Sequence, residues 1–512
     1  MPLSRRRFLH SAALGSASLA LNRELDASAS ARPAARSTAS SPPRRPNLLF
    51  LWTDQHRWDV VPWAGNNAVK AQNFFAPFAE KSFVFHGAYV AQPVCTPSRG
   101  TVMTGLLPHN HGSIQNNIHL DPAKRCIAEY VPEEYATAYF GKWHLGDENK
   151  AQHGFKEWRS IEDNYRKYYT DPALLSWMSD YHNFLLKRGF PPDQPDTDSD
   201  GAPVFSRTMS AAMTEQYTKV AFLAGEAEKF LRARRDGRPF LLHVNSLEPH
   251  PPSYGPLNEL HDPAKMPAGP AFARPLGDNI SKLVRRHNER TRRDGYKNNP
   301  IDTEHDWRRL RANYYGLVSM VDNAYARIMH ALEESGQADN TIVVYTSDHG
   351  DMCGDHCLMQ KGNFYEGSTH VPLAIHVPWL SRRRVDIQGP ICNVDLVPTL
   401  LDLMGAGVPA GLDGTSRVGA LRDPPSWKAG NVVIEWHDAD DHAVDGRSLR
   451  TADNWKLNLY RGDSSELYDL NTDPGELRNL ARDAAHRDRI RRLADEIRAW
   501  QARHDDPMTL QA

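Results

Sequence analysis

Runs of apolar residues bounded by turn residues predict the strands of a central sheet. Residues 47–53 are apolar almost throughout, as expected of a strand that helices cover on both faces. Similar runs occupy residues 239–246, 341–346 and 372–377. These runs alternate with stretches of helical periodicity, so the sequence predicts an α/β fold with a mostly parallel central sheet and helices on both of its faces.

The clearest helical pattern lies at residues 312–335. Apolar residues recur there at helical spacing along one face, namely Leu317, Val321, Ala324, Ile328 and Leu332. Gly336 follows the last of them and is a typical helix end. We therefore expect a long amphipathic helix that packs on the sheet.

The pattern changes after residue 410. Short strand-like runs at 432–436, 455–460 and 466–470 precede a charged helical stretch at 486–504. This order predicts a small C-terminal α+β subdomain with an antiparallel sheet over 411–512, after an α/β domain over 46–410. Residues 251–310 are rich in Pro, Arg and Asn with little periodicity. We interpret them as a surface insertion whose arginines are either solvated or attract an anionic substrate.

The N-terminal segment has the features of an export signal. Arg5 and Arg6 precede Phe8 and Leu9, a mild apolar run extends to residue 21, and small residues follow at 27–31. This resembles a twin-arginine signal peptide over 1–31, followed by a Pro/Ser/Arg linker over 32–45. It predicts a periplasmic or secreted protein that uses the twin-arginine export machinery.

Composition narrows the class of protein further. The 512 residues carry a formal net charge of −2, which gives no reason to invoke nucleic acid. Mean hydropathy is −0.60, and no apolar run approaches the roughly 20 residues that a membrane span needs. We therefore expect no membrane span in the mature protein. Five cysteines are too few for a disulfide scaffold.

Polar side chains follow three of the predicted strands where each strand ends. Asp54 and Gln55 follow the first run, Asp348 and His349 follow the run at 341–346, and His250 follows the run at 239–246. Active sites of α/β sheets lie at the carboxyl ends of the strands. The carboxylate and amide oxygens suit a hard divalent cation. The sequence therefore predicts one cleft that contains these side chains.

Four motifs carry a resemblance to a known family. The segment CTPSRGTVMTG at 95–105 resembles the signature of the formylglycine-dependent (type I) sulfatases of the alkaline-phosphatase-like superfamily. GKWHLG at 141–146 is a second element, and DHGD at 348–351 followed by KG at 361–362 is a third. The segment ELYDL at 466–470, with DP at 473–474 and NL at 479–480, is the fourth. The motifs follow the family's order, and the resemblance covers about residues 46–480.

The resemblance implies an alkaline-phosphatase-like α/β sandwich with a small C-terminal sheet. It also implies a sulfatase in which Cys95 is oxidised to formylglycine. In that family one hydroxyl of the hydrated aldehyde, held on a metal ion, attacks sulfur. The second hydroxyl then lets the covalent sulfate depart. A plain serine at this position forms the ester but lacks this exit.

The family's site residues transfer to this chain by motif position. Asp54, Gln55, Cys95, Asp348 and His349 correspond to the metal site. Arg99 is expected to hold the formylglycine hydroxyl, and Lys142 and Lys361 the sulfate oxygens. His144 corresponds to the base on the second hydroxyl, and His250, with Lys361, to the acid on the leaving oxygen.

Two metal-site positions depart from the family's usual pattern. Gln55 stands where many relatives have Asp, and His349 where many have Asn. Together the two departures leave a ligand set with less anionic charge, because glutamine replaces a carboxylate by a neutral amide. The resemblance favours one Ca²⁺ ion, with Mn²⁺ and Mg²⁺ as the alternatives, because an imidazole ligand suits a transition metal.

Three functions remain open at the level of sequence. The first is hydrolysis of a sulfate ester of an aryl alcohol, a small metabolite or a carbohydrate. The second is hydrolysis of a phosphonate or phosphate mono- or diester, another tetrahedral anion. The third is an inactive binding homologue, which retention of the motif residues argues against. An active sulfatase also needs a formylglycine-generating enzyme, which must act in the cytoplasm on Cys95 before a folded protein is exported.

Overall fold

The computed structural model describes residues 45–234, 237–295, 301–439 and 444–510. The predicted leader over 1–31 and nearly all of the predicted linker over 32–45 lie outside these residues. Within the described residues, no helix combines the length and the apolar character that crossing a membrane requires.

Fourteen strands are present among the described residues. In chain order they are β1 (Asn47–Asp54), β2 (Phe83–Tyr89), β3 (Ala136–Gly141), β4 (Glu157–Arg159), β5 (Gln194–Pro195), β6 (Pro203–Val204), β7 (Phe240–Pro249), β8 (Thr341–Ser347), β9 (His370–His376), β10 (Val385–Cys392), β11 (Val432–Trp436), β12 (Gly446–Arg450), β13 (Trp455–Tyr460) and β14 (Glu466–Asp469).

The α-helices of the same residues follow in chain order. They are α1 (Phe75–Ala79), α2 (Cys95–Thr104), α3 (Pro108–His111), α4 (Asp180–Leu186), α5 (Arg207–Ala212), α6 (Lys219–Ala233), α7 (Lys282–Asp294), α8 (Glu304–Glu334), α9 (Glu366–Thr369), α10 (Leu396–Leu403), α11 (Val418–Arg422) and α12 (Arg487–Arg503).

The central sheet has eight strands in the order β10-β2-β9-β8-β1-β7-β3-β4. All neighbours are parallel except β9, which is antiparallel to both β2 and β8. β1 lies between β8 and β7, so the loops that follow these three strands meet at one edge. The predicted α/β fold with a mostly parallel sheet is confirmed.

Helices cover both faces of this sheet. Leu49 and Leu51 of β1 pack in one core with α6 and α8. Leu48, Phe50 and Trp52 of the same strand face a second core that contains residues of α2 and α10. Because successive side chains of a strand point to opposite faces, a strand buried on both sides is apolar throughout. This is the pattern that residues 47–53 show.

The C-terminal sheet is antiparallel, in the order β11-β12-β13-β14. Leu493 and Ile497 of α12 pack against its apolar residues, so the predicted C-terminal α+β architecture is present. The boundary that we predict at 410/411 falls between α10 and α11 and stays a prediction.

Two elements differ from the sequence analysis. The sequence does not predict β12, an inner strand of the C-terminal sheet, because its arginines interrupt the apolar pattern. Arg447 is nevertheless buried, since it forms an ion pair with Asp506 at 2.8 Å. α7 lies inside the segment that we interpret as a surface insertion. The buried apolar residues of this helix are Leu283 and Val284, both in its first turn. Residues 251–310 therefore show little apolar periodicity.

Candidate active site

Four side chains from three segments converge at the carboxyl edge of the central sheet. Asp54 ends β1, Asp348 and His349 directly follow β8, and Cys95 is the first residue of α2. One potential ligand atom from each of them lies within 4.8 Å of the others, and all four residues are buried. The structure therefore brings together the residues that the strand ends and the cysteine motif point to.

Cys95 faces both the imidazole and one carboxylate of this group. Its Sγ lies 3.2 Å from His349 Nε2 and 3.8 Å from Asp54 Oδ1. Burial and the charge of Asp54 raise the pKa of the thiol. Lys142, Lys361 and His349 outweigh them and lower the pKa to about 7. The thiol is thus set in positively charged surroundings.

Arg99, one turn of α2 after Cys95, bridges the two carboxylates. Its Nη2 lies 2.9 Å from Asp54 Oδ2 and 2.8 Å from Asp348 Oδ2. Its Nη1 donates to Asn245 Oδ1 at 2.6 Å. The guanidinium is fully buried and compensates two carboxylates that would otherwise repel one another. Arg99 therefore fixes the spacing between the ends of β1 and β8.

Lys142 follows β3 and is also fully buried. Its Nζ donates to Asp54 Oδ2 at 2.6 Å. Burial would raise the pKa of Asp54, but Lys142 and the other nearby cations hold it well below its ordinary value. Asp54 is therefore an anion in the folded protein.

His144 has a defined tautomer. Its Nε2–H donates to Asn117 Oδ1 at 3.0 Å, and its Nδ1 has no hydrogen-bond partner among the described residues. Burial and then the charge of Lys142 lower its pKa well below the ordinary value. The ring of Tyr165 stacks on the imidazole with the centroids 4.0 Å apart. His144 is therefore a neutral imidazole with an unprotonated Nδ1.

The backbone around His144 is held by a buried carboxylate. Glu148 accepts hydrogen bonds from the backbone N–H of Trp143 at 3.0 Å and of His144 at 2.5 Å. Burial raises the pKa of Glu148 to about 7. His144 has a φ of 57°, in the left-handed region that costs a non-glycine residue energy. The two hydrogen bonds to Glu148 stabilise this conformation.

His250 and Lys361 lie on the same cavity as Cys95. His250 Nδ1–H donates to the carbonyl oxygen of Pro251 at 2.7 Å. Burial lowers the pKa of His250 well below its ordinary value, and the charge of Asp54 opposes this effect. Lys361 Nζ donates to Gln55 Oε1 at 2.6 Å. The structure thus places Lys361 beside Gln55.

The donor set fits a divalent metal ion. His349 Nδ1–H donates to the carbonyl oxygen of Gly350 at 2.9 Å, so Nε2 is the nitrogen left to face a metal. That Nε2 lies 3.7 Å from Asp54 Oδ1 and 3.6 Å from Asp348 Oδ1. A ligating histidine is typically oriented by such a bond from its other nitrogen. The second lone pair of Gln55 Oε1 remains for a metal, because Lys361 uses one.

The cavity above Cys95 has a volume of about 630 Å³. Its walls include side chains that no motif identifies, among them Asn117, Tyr165 and Arg207. These residues come from loops and from the first turn of α5. Their approach to Cys95 depends on tertiary structure, so no pattern in the sequence could have found them.

The structure combines a cysteine at the start of a helix, carboxylates and an imidazole that suit a metal, and buried cations around them. Hydrolysis of an ester of a tetrahedral anion uses groups of these kinds. A family model described as "Sulfatase" matches residues 46–406. A second model, for the C-terminal region of N-sulphoglucosamine sulphohydrolase, matches residues 354–503. The chain belongs to the sulfatase family of sulfuric ester hydrolases.

Individual relatives are similar to this chain over most of its length. The uncharacterized sulfatase YidJ of Escherichia coli is 28% identical over 489 residues, which cover 91% of this chain and 88% of the relative. An arylsulfatase of Clostridium perfringens is 27% identical over 87% of this chain and 92% of its own length. The crystal structure of a phosphonate monoester hydrolase of Agrobacterium radiobacter superimposes with a TM-score of 0.73 at 28% identity, over 90% of this chain and 96% of that chain.

Proposed function

We propose that this protein is an exported sulfatase that hydrolyses a sulfate ester of an aryl alcohol, a small metabolite or a carbohydrate. Residue 95, oxidised from cysteine to formylglycine, presents the nucleophile. The observation that carries the proposal is the position of Cys95 at the floor of the cavity, with Sγ 3.2 Å from His349 Nε2 and 3.8 Å from Asp54 Oδ1.

Asp54, Asp348 and His349 would hold the divalent ion, with Gln55 as a further ligand. A bound ion would lower the pKa of the hydroxyl group at residue 95 and neutralise charge on the sulfate oxygens. Ca²⁺ is our first choice because two carboxylates and an amide supply oxygen. Mn²⁺ and Mg²⁺ are the alternatives.

Two cations, the half-buried Lys361 and the fully buried Lys142, stabilise the negative charge of the reacting sulfate. Lys361 lines the cavity, and Lys142 lies one hydrogen bond from Asp54. Both are fixed before the substrate arrives, so they lose little energy to reorganisation when the charge of the transition state develops. Arg99 holds the carboxylates in register and orients the hydroxyl at residue 95.

His144 acts as the base that removes the proton from the second hydroxyl at residue 95. Its Nε2–H is committed to Asn117, so Nδ1 is the nitrogen that accepts the proton. The lowered pKa of His144 keeps this nitrogen unprotonated at neutral pH. Without this step the sulfate bound to residue 95 would persist.

His250 acts as the acid on the leaving oxygen, with Lys361 as its partner. Its Nδ1–H donates to Pro251, so Nε2 is the nitrogen that carries the transferred proton. In the free cavity burial lowers the pKa of His250. A bound sulfate adds negative charge and raises the proton affinity of the ring, so we expect His250 to become protonated as the ester binds.

The test is a substrate panel with metal-depleted and metal-repleted enzyme. We expect turnover of 4-nitrophenyl sulfate or of a sulfated sugar, its loss on chelation and its return with added Ca²⁺, Mn²⁺ or Mg²⁺. Binding of sulfate esters without turnover by any metal-loaded form would contradict the proposal and identify a binding homologue.

Hydrolysis of a phosphonate or phosphate ester is the second candidate. The similarity to a phosphonate monoester hydrolase structure favours it, as do Gln55 and His349 at the metal site. Sulfate and phosphonate esters are both tetrahedral and spread their charge over oxygens. The kcat/KM ratio of 4-nitrophenyl sulfate to 4-nitrophenyl phenylphosphonate separates the two, and a ratio below one would favour the second.

We also propose that the protein is exported by the twin-arginine route. The support is the Arg5-Arg6 pair followed by Phe8-Leu9 and an apolar run. This route carries folded proteins, so a cytoplasmic enzyme must oxidise Cys95 before export. The substitution of both Arg5 and Arg6 by Lys tests the route, with retention in the cytoplasm as the expected result and unchanged export as the contrary one.

A further inference from the structure

Arg207 lies on the wall of the cavity that contains Cys95. It is the first residue of α5, whose preceding residue Ser206 accepts a hydrogen bond from Met209 N through its side chain. Asp193 in turn accepts from the backbone N–H of Ser206 at 2.7 Å. The backbone that carries Arg207 is therefore fixed from both sides.

The guanidinium of Arg207 is held along one edge only. Nη2 donates to Glu162 Oε2 at 2.7 Å and to the hydroxyl of Tyr165 at 2.8 Å, and Nε donates to Glu162 Oε2 at 3.1 Å. Nη1 makes no hydrogen bond to a described residue, and 21% of the side chain is exposed. Because Arg207 lines the cavity, Nη1 remains available to a ligand there.

Glu162 does not fully neutralise Arg207. It is buried and also forms an ion pair with Lys219, so one carboxylate serves two cations. Both cations lower the pKa of Glu162, against the effect of burial. Glu248 lies near Lys219, but burial raises its pKa and disfavours its charge. Positive charge therefore remains at Arg207.

The rest of the cavity is also rich in cations. Among the described residues that line it, Arg290 and Lys361 are positively charged, and the one carboxylate is Asp294. Asp294 is engaged by Arg293 at 2.6 Å. An excess of cations over carboxylates along this wall favours an anionic ligand.

Tyr165 connects Arg207 to the reacting groups. Its ring stacks on His144, and its centroid lies 5.5 Å from Lys142 Nζ and 5.4 Å from the guanidinium carbon of Arg207. Lys142 and Arg207 therefore flank one tyrosine. Cys95 and Arg207 line the same cavity, so a substrate whose sulfate lies at residue 95 has the rest of its alcohol part within the space that Arg207 borders.

We propose that Arg207 is a second anion subsite, so that the preferred substrate is a sulfate ester whose alcohol part carries a further anionic group. A carboxylate or a second sulfate would serve, since Nη1 has two N–H groups to donate and a charged acceptor strengthens such hydrogen bonds. The inference rests on the proposed function and adds the class of leaving alcohol to it.

The test uses matched aryl sulfates. Phenyl sulfates with a carboxylate at ring position 3 or 4 are compared with the corresponding neutral carboxamides. A second series with a sulfonate at the same ring positions shows whether the subsite prefers a carboxylate or a sulfate-like group. We expect the wild-type enzyme to prefer a charged probe, and Arg207→Gln to lower the ratio of kcat/KM for charged over neutral probes about 10-fold. The change should lie mainly in KM, and Arg207→Lys should restore part of it.

Arg327→Gln is the matched control, because Arg327 also pairs with a glutamate, Glu228 at 3.0 Å, but on the exposed surface of α8. It should leave the ratio unchanged. Equal losses on charged and neutral probes in Arg207→Gln, or no preference in the wild-type enzyme, would overturn the inference alone. Failure of the wild-type enzyme to cleave any aryl or sugar sulfate would instead contradict the proposed function.

Discussion

Cys95 Sγ lies 3.2 Å from His349 Nε2 although 254 residues separate them in the chain. β1 and β8 are neighbours in the sheet, and α2 begins beside their carboxyl ends, so the fold alone creates this contact. The nucleophile position and the metal site are therefore one structural unit. A change at either residue should alter the chemistry of the other.

The variant Cys95→Ser should form a covalent sulfate ester that it cannot release. The serine hydroxyl can form a sulfate ester but lacks the second hydroxyl that expels it. We expect no steady-state turnover and a protein that accumulates one covalent sulfate after incubation with 4-nitrophenyl sulfate. Intact-protein mass spectrometry measures it, with Cys95→Ala as the unlabelled control. Sustained turnover by the Ala variant would contradict this role of residue 95.

His349→Asn should change the metal preference. The substitution replaces an imidazole by an amide oxygen, which suits Ca²⁺ better than a transition metal. We expect the concentration of Ca²⁺ for half-maximal activation to fall relative to that of Mn²⁺. Titration of chelated enzyme with each metal measures the two values. An unchanged ratio would argue against ligation by His349.

Glu148→Gln should displace His144 without removing it. An amide offers one oxygen acceptor, so one of the two backbone N–H groups now held by Glu148 would face an NH₂ group. We expect kcat to fall roughly 10- to 100-fold, because small displacements of a catalytic group are costly. The ratio of the wild-type kcat to the variant kcat should fall below about pH 7. Burial raises the pKa of Glu148 to about 7, and the protonated carboxyl group resembles the amide. A ratio of kcat values that does not change with pH would contradict this role of Glu148.

His109→Gln should destabilise the protein in a pH-dependent way. His109 Nδ1 lies 2.7 Å from Glu435 Oε1, and Nε2 lies 2.8 Å from the carbonyl oxygen of His504. Both nitrogens thus face acceptors. Burial opposes the charge, but the hydrogen bond to Glu435 raises the pKa of His109 above its ordinary value.

A raised folded-state pKa stabilises the protein fully below the unfolded value of about 6.5, and this stability is lost as pH rises through the folded-state pKa. The melting-temperature difference between wild type and His109→Gln should therefore be larger at pH 6 than at pH 8. His330→Gln, on an exposed His–Glu contact of 3.5 Å with Glu334, is the surface control. A difference that grows with pH would refute the assignment.

The sequence predicts the strands of the central sheet well where they are apolar on both faces. The run at 47–53 corresponds to β1, and the run at 341–346 to β8. The sequence does not predict β12, because Arg447 and Arg450 are buried against partners that only the folded protein brings near. Hydrophobic periodicity cannot identify a strand whose buried side chains are charged.

The candidate site likewise contains residues that the sequence predicts and residues that only the structure reveals. Residues within motifs, such as Cys95 and Lys142, can be named from the sequence, and the structure brings them together, while their catalytic roles stay predictions. Tyr165 and Arg207 lie in segments without a motif. Their positions depend on Glu162 and on the packing of α5, so their place in the cavity follows from the structure alone.

The chemical state of residue 95 tests the account most directly. The measurement is mass spectrometry of the tryptic peptide 82–99 from active protein purified from the periplasm or the medium. The account predicts an aldehyde or its hydrate at residue 95, in a fraction that rises in proportion to specific activity. Fully active protein with an unmodified thiol at residue 95 would contradict it.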